Sequence, residues 1–160
     1  MSQTFEAIKI PIKEVDIQKT ADLFNETLGE IQKGIVDALS WNDFSFIIRN
    51  NTEALLKRTG AVNDSGAWPF EDIEPKTVVA KFLKAKSFSF AAKYALPHRE
   101  ICIGCSYPLV GYKKVAMEWS ADPKITWDNM SNGEDKSADE NRAYIMQKDG
   151  NYIWVFEVNG

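Results

Sequence analysis

Read as a string of apolar and polar positions, the chain has two regimes. Across residues 17–39 the apolar side chains Ile17, Ala21, Phe24, Leu28, Ile31, Ile35 and Ala38 recur at alternating steps of four and three. That spacing predicts an amphipathic helix with a single apolar stripe. Asp16 stands at the N-cap, and Lys19, Asp22, Glu26, Glu30, Lys33 and Asp37 fall largely on the other faces. Gly29 and Gly34 each cost such a helix about 1 kcal/mol relative to alanine, so the stripe needs something to pack against.

After Trp41 the period changes to two. Phe44, Phe46 and Ile48 alternate with Ser45, Ile47 and Arg49 up to Asn50-Asn51, the pattern of a half-buried strand and its turn. Phe88, Phe90, Ala92, Tyr94 and Leu96 alternate again before Pro97-His98, and Ile101 and Ile103 alternate with the cysteines. Residues 77–84 fit either period, since Val78, Val79, Phe82 and Leu83 suit a helix turn and Val78, Ala80 and Phe82 a strand; the strand is preferred. Residues 144–148 and 152–158 flank Asp149-Gly150, a two-residue hairpin signal, with Tyr152, Trp154, Phe156 and Val158 on one face. Residues 128–140 are polar and unpatterned and predict a mobile loop. The fold class expected is mainly β with an N-terminal amphipathic helix: an antiparallel β-sandwich flanked by the helix, or a single antiparallel sheet packed on it.

With 160 residues and no dividing linker, the chain reads as one domain, residues 1–160, long enough to bury a core without staples. Its formal charge of -4 argues against a protein that neutralises phosphates along nucleic acid. The same sign weakens attraction to anionic lipid, so membrane contact is expected through aromatic insertion or neutral head groups. The N-terminus lacks the basic start and apolar run of a secretory signal, which predicts a soluble protein made in the cytosol that could be released and then meet a membrane.

Candidate chemistry is sparse. The single histidine, His98, sits in a segment that looks like a hairpin turn, which predicts a surface or turn role rather than catalysis. Cys102 and Cys105 have redox-motif spacing, yet residues three apart on a strand face opposite sides, and zinc would need two more ligands. Asp128, Asn132, Gly133 and Asp139 fit positions 1, 5, 6 and 12 of a calcium loop, but Met130 and Lys136 occupy two ligand positions. Glu71, Asp72 and Glu74 precede Pro75 as an acidic turn. Neither a metal nor a cofactor is expected, and no catalytic set is spaced for an enzyme. Of the tryptophans, Trp68 and Trp127 stand beside turn residues, where an indole suits either core packing or a membrane interface.

In order, the predicted helix, the segment Phe44-Ser-Phe-Ile-Ile-Arg-Asn-Asn-Thr52, the segment Gly66-Ala-Trp-Pro-Phe-Glu-Asp-Ile-Glu-Pro75 and the run Ser106-Tyr-Pro-Leu-Val-Gly-Tyr112 resemble the actinoporin-type cytolysins, with a more distant likeness to the aegerolysins. The resemblance implies a membrane-binding, pore-forming β-sandwich that assembles into homo-oligomers on lipid. It implies a choline head-group site at the Ser-x-Pro loop, where Ser106 and Pro108 match the motif and Tyr107 and Tyr112 supply rings and hydroxyls. Where that family carries a dense Tyr and Trp cluster, this chain has Lys113-Lys114-Val-Ala-Met-Glu118. The competing reading is a non-catalytic module that binds a small ligand or a protein.

Overall fold

A computed structural model describes residues 4–11, 42–63, 68, 70–148 and 151–160. The stripe residues Ile17, Phe24, Leu28, Ile31 and Ile35, and with them the expected helix, lie outside the described residues. So does the Asp149-Gly150 turn.

The strands are β1 (Thr4–Pro11), β2 (Asn42–Asn50), β3 (Lys57–Asn63), β4 (Thr77–Ala85), β5 (Phe88–Ala95), β6 (Glu100–Tyr107), β7 (Lys114–Trp119), β8 (Asp135–Ala138), β9 (Asn141–Lys148) and β10 (Asn151–Val158). A short helix, α1 (Pro123–Asp128), falls between β7 and β8. Asp122 caps it by accepting from the Lys124 amide at 2.9 Å, and Pro123 opens it where a missing N–H costs nothing.

Two sheets form, one of six strands in the order β1-β4-β2-β10-β9-β8 and one of four in the order β3-β5-β6-β7. The single-sheet alternative is therefore excluded, and the sandwich is the architecture. It is not wholly antiparallel: β10 runs parallel to β2, with Tyr152 opposite Phe44 and Val158 opposite Asn50. Alternation reports which face a side chain takes and is silent on strand direction, which is why the sequence pattern missed this pairing. The expected loop over 128–140 is also corrected, since β8 pairs with β9 there and buries Ala138.

The core lies between the sheets. Phe44, Phe46 and Ile48 of β2 and Trp154, Phe156 and Val158 of β10 meet Phe88, Phe90 and Tyr94 of β5 and Ile101, Ile103 and Cys105 of β6. Ring pairs fill it at close range: Phe44 to Phe88 at 4.8 Å, Phe88 to Trp154 at 4.9 Å and Phe46 to Phe88 at 5.0 Å, all edge-on. Edge-to-face pairs of this kind add roughly 0.5–1.5 kcal/mol each beyond their buried area. Ile47, Val78, Ala80, Phe82, Ile153 and Val155 form a second buried cluster, on the outer face of the six-stranded sheet.

Trp68 belongs to this core. It is 4% exposed, its Nε1 donates to the Tyr94 hydroxyl at 2.9 Å, and its ring packs on Phe70 and Phe90. Of the two settings expected for Trp68, core packing is the one in which the ring stands. Cys102 and Cys105 are free thiols on opposite faces of β6, and Cys102 Sγ donates to the Ser120 carbonyl at 3.4 Å.

Candidate head-group cleft

The outer face of the four-stranded sheet is built in cross-strand rows. Ser89 of β5 stands opposite Ser106 of β6, and Ser106 opposite Lys114 of β7, so three polar residues line up across adjacent strands. Opposed Cβ atoms in such pairs lie about 5 Å apart, close enough for one small ligand to reach all of them. The next row is Ala91, Gly104 and Ala116, small residues that let another segment approach. α1 and the chain after it take that space: Met130 Sδ lies 3.3 Å from where a Gly104 Cβ would stand. A larger side chain at Gly104 would push Met130 outward.

Between the polar row and α1 lies a cleft of about 440 Å³, within the range of small-ligand sites. Ser87, Ser89, Ser106 and Lys114 form one side, Trp127, Asp128 and Met130 the other, and Pro108 and Leu109 the lip. Trp127 is half-buried and donates its Nε1 proton to Ser89 Oγ at 2.9 Å, which holds its ring as a wall. Asp128 is paired with Lys124 at 2.5 Å, and Lys124 Nζ lies 4.5 Å from the Trp127 ring centre.

Ser106, Pro108 and Trp127 thus come together from three places in the sequence. Tyr107 and Tyr112 do not join them. Tyr107 follows Ser106 on β6 and so takes the opposite face, where its ring packs 4.9 Å from Phe44 and 5.4 Å from Tyr152. Tyr112 is 46% exposed and donates its hydroxyl to Glu134 at 2.7 Å. Lys113 reaches the same carboxylate at 2.6 Å and lies over the Tyr112 ring. Lys113 first, and then Tyr112, hold the Glu134 carboxyl below its ordinary range. The three residues pin the base of loop 108–113 to the lead into β8. Neither tyrosine supplies a ring to the cleft: Tyr107 faces the core, and Tyr112, with Tyr152, faces the Lys113 ammonium at 4.6 and 5.1 Å.

The loop itself supplies what pattern reading passed over. Leu109 is 76% exposed and Val110 92%, side by side at its tip. Gly111, at φ +117°, closes the turn with a backbone conformation that favours glycine. The available signal was an apolar dipeptide held between Pro108 and a glycine in a turn, where neither side chain can reach a core. Ser87, Ser89 and Lys114 gave no signal, since their convergence depends on strand register.

At the far end of the sandwich, an apolar cleft of about 530 Å³ is lined by Ala54, Leu96, Pro97, His98, Arg99 and Gly160. His98 is exposed in the β5–β6 turn. Among the described residues no helix is long and apolar enough to cross a membrane, and no group of three or more acidic, cysteine or histidine residues is placed to hold a metal ion.

No protein-family model matches the sequence, and no curated protein matches it at a significant level. Among solved structures the fold is similar to one described as the lipid binding protein Nakanori, with a TM-score of 0.58 and 12% sequence identity, covering 88% of this chain and 79% of that one. At that identity the likeness is one of fold.

Proposed function

We propose that the protein binds lipid membranes through the end of the sandwich that carries loop 108–113 and the Ser106 cleft. The observation that carries this reading is the position of two exposed apolar side chains, Leu109 on the lip of a cleft lined by hydroxyls and a lysine and Val110 next to it in the same loop. A lipid interface offers both complements at once, acyl chains below and phosphate above. Full burial of each aliphatic side chain contributes roughly 1.5–3 kcal/mol. Together they give weak, reversible attachment, comparable to a single acyl anchor, so head-group contacts in the cleft are needed for useful affinity. The fold likeness to a lipid-binding protein supports the same reading.

Pore formation and self-assembly, which the actinoporin resemblance implies, are steps beyond binding, and dye release from the same vesicles reads them separately. The test of binding is co-sedimentation with mixed-lipid vesicles. Wild-type protein sediments with them, and Leu109→Asp combined with Val110→Asp lowers the bound fraction at least tenfold while the thermal midpoint stays unchanged. Equal sedimentation of the double variant, or no sedimentation of the wild type with any vesicle, removes the proposal.

A further inference from the structure

Resting on that membrane reading, we infer that the head group taken by the cleft is an anionic phosphate without a cationic substituent. Charge pairing at the cleft is the first reason. Lys113 is matched by Glu134 and Asp128 by Lys124, while the ammonium of Lys114, in the cleft wall, pairs with no carboxylate among the described residues. Among the described residues the cleft wall therefore carries one uncompensated positive charge, that of Lys114, on a protein whose formal net charge is -4.

Donor chemistry is the second. The Ser87 and Ser106 hydroxyls, with no partner among the described residues, join the Lys114 ammonium as donors facing one cavity. Ser106 and Lys114 are direct cross-strand neighbours, so one phosphate can accept from both.

The third reason is that the described rings of the cleft offer no seat for a quaternary ammonium. Of the rings lining the cleft, Phe88 is buried in the core and Trp127 already carries Lys124 against its ring, while Tyr107 and Tyr112 point elsewhere. A choline or ethanolamine group would bring a further cation towards Lys114, with no free carboxylate among the described residues of the cleft to meet it. A bare phosphate ester removes the imbalance. Lipid phosphomonoesters and soluble phosphate esters share this chemistry, and the test separates them.

The experiment measures binding of the full chain to vesicles of phosphatidylcholine alone and of phosphatidylcholine containing phosphatidic acid, at low and high salt, with glycerol phosphate as soluble competitor. The anionic vesicles are expected to bind at least tenfold more tightly, with the preference shrinking as salt rises. Lys114→Gln should lose about fivefold or more of that preference, the scale of one lysine at an anionic surface. Ser106→Ala, which leaves the charge unchanged, should also weaken binding to the anionic vesicles, whereas Lys57→Gln on the distant β3 edge should not. Equal binding to neutral and anionic vesicles overturns this inference and leaves membrane binding standing. An unchanged preference in both Lys114→Gln and Ser106→Ala overturns it too. Binding of glycerol phosphate with no vesicle binding overturns the lipid source, and the membrane reading with it.

Discussion

Trp127 donates its indole proton to Ser89, 38 residues away in sequence, and the 2.9 Å bond ties α1 to the outer face of the four-stranded sheet. The ring fixed by this bond is the wall of the cleft. Removing the proton and removing the ring should therefore have different effects. Trp127→Phe keeps most of the wall and gives up one hydrogen bond, a stability loss of about 1 kcal/mol in denaturant unfolding. Trp127→Ala opens the cleft and should reduce vesicle binding severalfold more than Trp127→Phe does. Equal binding by the two variants would show that the wall takes no part.

Tyr94 lies inside the core, accepting from Trp68 Nε1 and donating to the Glu71 carbonyl at 3.2 Å. Burial pushes its phenol well above the ordinary tyrosine value, and the half-buried Tyr144, beside Glu157, is raised as well. The unfolded chain then releases these protons first, near pH about 10. The stability they contribute is complete below that pH and is lost as pH rises through the folded values. Urea unfolding should show a lower midpoint at pH about 10.5 than at about 8. Tyr94→Phe should flatten that alkaline slope, at a neutral-pH cost of about 1–3 kcal/mol for the lost bonds. An unaltered slope in the variant would remove Tyr94 as its source.

Asn50 is fully buried at the end of β2. The two protons of its Nδ2 are shared among the carbonyls of Ala54, Ile73 and Glu74 at 2.8, 3.1 and 3.0 Å, and its Oδ1 accepts from the Thr52 amide and hydroxyl. Asn50→Asp replaces the donor with an oxygen facing three carbonyls and buries a charge. The expected loss is roughly 3 kcal/mol or more at neutral pH, read as a large drop in thermal midpoint. Because this site is at the opposite end from the cleft, the fraction that remains folded should bind vesicles as the wild type does.

The strands that carry large side chains were legible from alternation. Phe44-Phe46-Ile48, Phe88-Phe90-Tyr94 and the pair joined through Asp149-Gly150 appear as β2, β5 and β9–β10. The ambiguous stretch over 77–84 is β4, and a strand suits it because both its faces are largely buried. β3 and β8 escaped because they are edge strands of mostly polar residues: Lys57-Arg-Thr-Gly-Ala-Val-Asn63 buries none of its side chains fully, and Asp135-Lys-Ser-Ala138 buries only Ala138. β1 also lies at an edge of the six-stranded sheet. The Asp122-Pro123 opening of α1 is a helix-start signal carried by the sequence itself. At the cleft, Ser106, Pro108 and Trp127 were singled out in the sequence, but their meeting was not readable, because it depends on the register of β5, β6 and β7. Tyr107 was misplaced because two neighbours on a strand cannot share a face.

The parallel pairing of β2 with β10 also governs how the molecule comes together. Asn51 and Asn159, which hydrogen-bond just beyond the ends of these strands, are 108 residues apart along the chain. The centre of the larger sheet therefore closes the longest loop in the described fold, and the entropy of that closure must be met before the ring contacts across the sandwich can repay it. Folding should be slow for a domain of this size. Until the last strand docks, β2 presents an open, strongly apolar edge at which two copies could exchange strands, so dilute refolding and prompt delivery of β10 decide the yield of native protein.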